Sequence, residues 1–203
     1  MTKNVRLYVA LGLLAATAVP AVAAAEPQPT PEQAAAGPWD PATRIAEQRR
    51  AMEALAFLDG TWRGSAEADA RSRGFVQTER VGLLLDGTVR LVEGRGYDAA
   101  GATVFNAFGI ISYDPVRRAY SIRTYAMGFA GDYPLTVRPD GFSWSHPAEP
   151  GVTMRYNATI RDGEWHEVGE RVASGAPPVQ AFEMRLRRIG PTDWPQSGAV
   201  PRR

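Results

Sequence analysis

From Thr61 to Ile189 the chain is a succession of short β-rich runs in which apolar and polar residues tend to alternate. The runs cover about 61–69, 74–85, 88–97, 103–113, 118–128, 132–138, 141–146, 151–161, 164–173 and 179–189. A period of two is the mark of a strand with one face in a core. Between the runs lie Asp86-Gly87, Gly101, Asp114-Pro115, Gly131, Asp140-Gly141, Pro150-Gly151, Asp162-Gly163 and Ser174-Gly175. Asp-Gly pairs suit tight hairpins because the two-residue turn needs positive φ. Strands joined by successive hairpins form a meander, and a meander of about ten strands either closes or leaves two long edges bare. The pattern therefore predicts an all-β fold: an antiparallel up-and-down barrel of about ten strands.

Ahead of the strands the period changes. Ile45, Met52, Leu55 and Leu58 recur at helical spacing, with Arg44, Glu47, Arg49 and Arg50 between them. Asp40 is placed to cap this helix and Pro41 to open it, while Asp59-Gly60 ends it. One amphipathic helix over about 41–58 is expected to precede the barrel, giving a domain over 41–189. Residues 26–40 are rich in Pro, Gln and Ala and read as a linker. Residues 190–203 carry Pro191, Pro195 and Pro201 and read as a flexible tail.

The first 25 residues have another character. Lys3 and Arg6 precede an apolar run from Leu7 to Val19, then Pro20 and small residues through Ala25. Ala23-Ala24-Ala25 fits a signal-peptidase site, which predicts a signal peptide over 1–25 and a mature chain starting near Glu26. The run is shorter than the roughly 20 residues a membrane span requires. The expectation is an exported protein, periplasmic or extracellular, with no stable membrane anchor after cleavage. Loss of Lys3 and Arg6 takes the 23 basic residues to 21 against 22 acidic ones, a charge near −1. A near-neutral chain offers no footprint for nucleic acid. Cysteine is absent, which removes disulfides, thiolate metal sites and a lipid-modified cysteine.

Leu58-Asp59-Gly60-Thr61-Trp62-Arg63-Gly64 resembles the opening of lipocalin-like domains of the calycin superfamily, in particular a bacterial family of unknown function with a Gly-Thr-Trp-x-Gly start. Tyr113-Asp114-Pro115 followed by Tyr120, and Asp162-Gly163-Glu164-Trp165, extend the resemblance over about 55–189. The resemblance implies that Gly60 and Trp62 sit at the closed end of the barrel. It further implies that an arginine of the last strand, Arg185 or Arg187, stacks on Trp62. A more distant similarity reaches nitrobindin-like haem barrels, which hold iron through a His near the C-terminal strand. Here that stretch, Val179 to Arg187, contains no His, and no cofactor is expected.

Chemistry-bearing motifs are sparse. The two histidines, His146 and His166, have no metal-ligand spacing, so no metal site is expected. His146 precedes Pro147 and reads as a loop residue. Gly-x-Ser-x-Gly is absent, and Gly94-Arg95-Gly96 reads as a kink within a strand. Polar residues inside strands remain: Arg123 with Tyr125 on one face, Arg155, and Arg90, Glu93 and Arg95. Turned inward, Arg123, Tyr125 and Arg155 would grip an acidic head while Tyr113 and Trp144 walled an apolar body. Turned outward, they are ordinary surface residues.

Three functions stay open. The first is a barrel binding a small hydrophobic or amphipathic molecule. The second is an isomerase-, cyclase- or hydratase-type enzyme using Glu170, His166 or Tyr125. The third is a solid barrel with a structural or protein-interaction role.

Overall fold

The computed structural model describes residues 40–68, 74–192 and 194. The expected signal peptide, nearly all of the linker and the end of the tail lie outside these residues. Helix α1 spans Pro41–Glu53. Asp40 caps it by accepting the Thr43 N–H at 2.9 Å, and Pro41 enters with φ already helical. The α-helix stops sooner than the apolar spacing suggests. At Ala54 the chain tightens into a 3-10 turn over Ala56–Leu58, which keeps Leu55 and Leu58 buried beside Met52.

Ten antiparallel strands follow: β1 (Gly60–Glu67), β2 (Phe75–Leu84), β3 (Val89–Tyr97), β4 (Thr103–Asp114), β5 (Ala119–Ala126), β6 (Phe129–Arg138), β7 (Gly141–Glu149), β8 (Val152–Arg161), β9 (Glu164–Ala173) and β10 (Val179–Gly190). Each pairs with the next, and β1 pairs with β10, so the sheet is a closed barrel. Gly60 lies at φ +137°, and a Cβ there would stand 2.9 Å from the Gly190 carbonyl oxygen. Only glycine lets the first strand start this close to the last.

The hairpin between β5 and β6 turns at Met127-Gly128, both at positive φ. The sequence had suggested Gly131, which instead lies within β6. Likewise β7 runs through His146 and Pro147 to Glu149. The pairing with β8 is irregular between Pro147 and Glu149, and a bulge is where a strand tolerates proline.

One end of the barrel is plugged. Met52, Leu55 and Leu58 pack with Trp62, Val81, Ile111, Phe142, Trp165 and Leu186 into the core. Arg90 is wholly buried in this plug. Its guanidinium donates to both Asp59 carboxylate oxygens at 2.8 and 2.9 Å and to the Met52 carbonyl. Tyr120 Oη donates to the Ala51 carbonyl at 2.9 Å. These bonds satisfy carbonyls left over at the helix C-terminus and lock the helix onto the barrel floor.

Trp62 sits in that floor, edge-on to Trp165 at 5.7 Å, and donates its indole N–H to the Leu58 carbonyl at 2.9 Å. The cation over its ring is Arg188, at 4.4 Å, and neither Arg185 nor Arg187. Strand alternation explains the correction. Met184 and Leu186 point inward, so Arg185 and Arg187 face out, where they pair with Glu183 and Glu164. The regular register that sets Gly64 opposite Leu186 and Arg63 opposite Arg187 places Arg188 opposite Trp62. At the tail, Trp194 lies on the outer wall, under the Arg80 guanidinium at 4.4 Å and against Phe108.

Candidate functional site

The half of the barrel away from the helix has a different interior. Alternation along β2 turns Gln77 and Glu79 inward, in step with Val81, and alternation along β9 turns Glu167 inward, in step with Trp165. All three are buried: Gln77 is 2 %, Glu79 9 % and Glu167 8 % exposed. Facing inward from β6, β7, β8 and β10 is an aromatic wall of Tyr133, Trp144, His146, Tyr156 and Phe182. Trp144 and Tyr156 stack at 4.7 Å with an angle of 13° between their planes. His146 lies against Tyr133, Trp144 and Tyr156 at 5.6–5.9 Å, and Phe182 meets Tyr156 edge-on at 6.0 Å. These rings are half-buried, whereas the residues of the plugged end are almost completely buried.

Glycines let larger neighbours fill this half. A Cβ at Gly94 would stand 2.6 Å from Glu79 Oε1, one at Gly131 2.1 Å from the Tyr133 hydroxyl, and one at Gly169 2.8 Å from the Tyr156 ring. Each missing side chain is occupied by a functional group from a neighbouring residue. Gly94 and Gly96 are therefore more than a kink: they make room for Glu79 and Phe75.

The carboxyls titrate far from their ordinary range. Burial pushes Glu79 up to about 8, against the pull of the Gln77 hydrogen bond and with a further push from the charge of Glu167. Burial likewise pushes Glu167 up to about 7, against hydrogen bonds from Trp165 and Trp144. Tyr156 rises to about 12 through burial and the nearby Glu167 charge. Gln77 Nε2 donates to Glu79 Oε1 at 2.7 Å, and Trp165 Nε1 donates to Glu167 Oε2 at 3.1 Å. Gln77 Oε1 has no hydrogen-bond partner.

Of the five residues proposed from sequence to hold a ligand, Trp144 lies in this aromatic wall. Tyr113 is inward but belongs to the plugged end, tilted against Tyr120 at 4.9 Å. Arg123, Tyr125 and Arg155 are on the outer wall. Arg123 donates to the Tyr125 hydroxyl at 2.7 Å and pairs with Asp132. Arg155 pairs with Glu170 at 2.8 Å. Their interior placement is thus corrected: Ile122 and Thr124 occupy the inward positions of β5, and Tyr156 with Met154 those of β8. The enzyme candidates fare the same way. His166 faces outward and bonds Glu183 at 2.9 Å, and Glu170 is held by Arg155. His146, read as a loop residue, faces inward from β7. On β10 Phe182, Met184 and Leu186 face inward.

Sequence reasoning missed Gln77, Glu79 and Glu167. The signal was present in the alternations Gln77-x-Glu79-x-Val81 and Trp165-x-Glu167-x-Gly169, each placing an acid in step with core or glycine positions.

No family model matches the chain, and no curated protein matches it. Solved structures do match. The crystal structure of Rv2717c from M. tuberculosis is similar with a TM-score of 0.51 and 16 % identity, over 68 % of this chain and 96 % of that one. At that identity the likeness extends to the fold alone, a closed antiparallel β-barrel.

Proposed function

We propose that the barrel binds a small amphipathic molecule in the half of its interior away from α1. One observation carries the reading: half-buried stacked aromatic rings and a set of buried polar groups both face the barrel interior away from the plugged end. Ligand sites are mostly apolar with a few convergent polar groups, and this interior has that make-up. The test uses Nile red, a neutral apolar dye that brightens in dry pockets. The wild-type protein is expected to bind it, and Trp144→Ala to weaken binding by about tenfold, the range set by loss of one large aromatic contact. Arg123→Ala and Arg155→Ala alter only the outer wall and are expected to leave binding unchanged. Equal losses in all three variants would move the site to the outside.

A second reading, an enzyme acting on an apolar substrate, is favoured by one fact. Two buried carboxyls titrate near neutrality, as general acids and bases do. Glu79 and Glu167 replace Glu170, His166 and Tyr125 as its candidates. We also propose that the protein is exported. Its support is the leader pattern of residues 1–25, and intact mass measurement should find a mature chain beginning near Glu26.

A further inference from the structure

We infer that the interior site takes an organic cation with N–H donors on a flat apolar body, of the arylamidine or arylammonium class. The inference rests on interior binding as proposed above and adds the chemistry of the ligand.

The polar groups of the site are acceptors in search of donors. Gln77 spends its amide N–H on Glu79, which leaves Oε1 buried with no partner. A buried acceptor without a donor is uncommon in native proteins and points to a missing group. Glu79 and Glu167 are buried carboxyls, and among the described residues no cation offsets either one. Arg90, the buried arginine of the plugged end, is consumed by Asp59 and the Met52 carbonyl. An acidic ligand would therefore meet carboxyls and an orphan carbonyl oxygen, with no cation among the described residues placed to hold its charge. A cation bearing N–H groups would satisfy Gln77 Oε1 and neutralise a carboxylate at once.

The opposite wall suits the same molecule. The stacked pair Trp144 and Tyr156 presents π faces, which attract cations and accept flat rings. The Tyr156 ring lies over Gly169, two residues from Glu167 on the same face of β9, so the aromatic wall adjoins this acid. The groups facing the acids are Gln77 on the same strand as Glu79, Trp144 and Trp165 beside Glu167, the Tyr156 hydroxyl and each other. Glu93 acts from the neighbouring strand but is itself held by Arg80 and Arg95 on the outer wall.

Without ligand the acids hold protons near neutral pH. A cation must displace a proton to gain its carboxylate, so its affinity rises as pH climbs through 7 to 8.

The experiment compares benzamidine, benzamide and benzoate, three molecules of one shape and different charge, against the full protein by calorimetry, with Nile red in parallel. Benzamidine is expected to bind at least about tenfold more tightly than the other two at pH 8.5. It should also bind at least about tenfold more tightly at pH 8.5 than at pH 6, while benzamide stays level. Glu79→Gln, nearly the same shape, is expected to abolish the preference for benzamidine, with Glu167→Gln as a second variant should the first fail to fold. Benzamidine binding no better than benzamide, benzoate binding best, or Nile red binding with benzamidine excluded would each overturn the cation inference and leave interior binding standing. If Nile red and all three probes fail, both readings fall.

Discussion

A single indole carries the floor of the barrel. Trp62 is buried against Trp165, bonded to the Leu58 carbonyl and covered by Arg188, so its loss opens a cavity and orphans a carbonyl together. Trp62→Ala is expected to cost about 3–5 kcal/mol in urea denaturation. Arg188→Ala should cost less than that and more than Arg187→Ala, because Arg188 also donates to the Phe57 and Asp59 carbonyls. A ranking with Arg187 above Arg188 would contradict the register at the seam.

The buried acids give a second prediction at this scale. Glu79 is protonated when folded up to about pH 8 but ionises near 4.5 in an unfolded chain. The folded state thus holds the extra proton, and stability falls as pH rises between those values. Melting temperature should decline from pH 5 to pH 8, and Glu79→Gln, which has no proton to lose, should flatten that slope. These residues were legible only in part. Period two assigns neighbours to opposite faces but does not say which face is inside, so the face of Arg123 and Tyr125 stayed open in sequence, and the structure turns Ile122 and Thr124 inward. Alternation with glycine was the better guide, since Gly94 and Gly169 mark the inner face outright.

At the level of elements, the sequence was read most accurately where turn chemistry is strict. The Asp86-Gly87 and Asp162-Gly163 turns fall where strands end and take positive φ, whereas Pro139-Asp140 make the third turn and Gly141 already opens β7, paired with Arg138. Met127-Gly128 escaped because methionine has no intrinsic liking for φ near +49°; the pairing of β5 with β6 holds it there. The early end of α1 was hidden for a related reason. Leu55 and Leu58 keep helical spacing in sequence while a 3-10 turn delivers them to the same core. Arg90 joins this helix to the barrel. Arg90→Ala leaves Asp59 and the Met52 carbonyl without their donor and is expected to cost about 3–5 kcal/mol. Hydrogen exchange should show α1 opening before the strands do. If α1 stays as protected as before, the helix is held by apolar packing alone.

The whole molecule is polar in the sense of having two unlike ends. One is tightly filled and stoppered by α1, with Arg90 buried in it and paired to Asp59. The other holds acids and rings behind a rim on which Met127 and Phe129 stand exposed. The barrel class was readable because ten hairpin-linked strands have few other solutions. The contents of the barrel were not, because volume inside a closed sheet depends on which side chains meet across it, and those meetings join residues far apart in sequence, such as Glu79 and Glu167.

The seam between β1 and β10 also governs how the molecule is made. Thr61 finds its neighbour Gly190 only after almost the entire chain exists, and such remote pairings are slow to form. Until then the ribbon carries two raw borders, each able to recruit another chain. Chains shortened to end before Val179 should accordingly clump instead of giving a smaller barrel, as light scattering would show, and a soluble monomer from such a truncation would mean that the ring tolerates a gap.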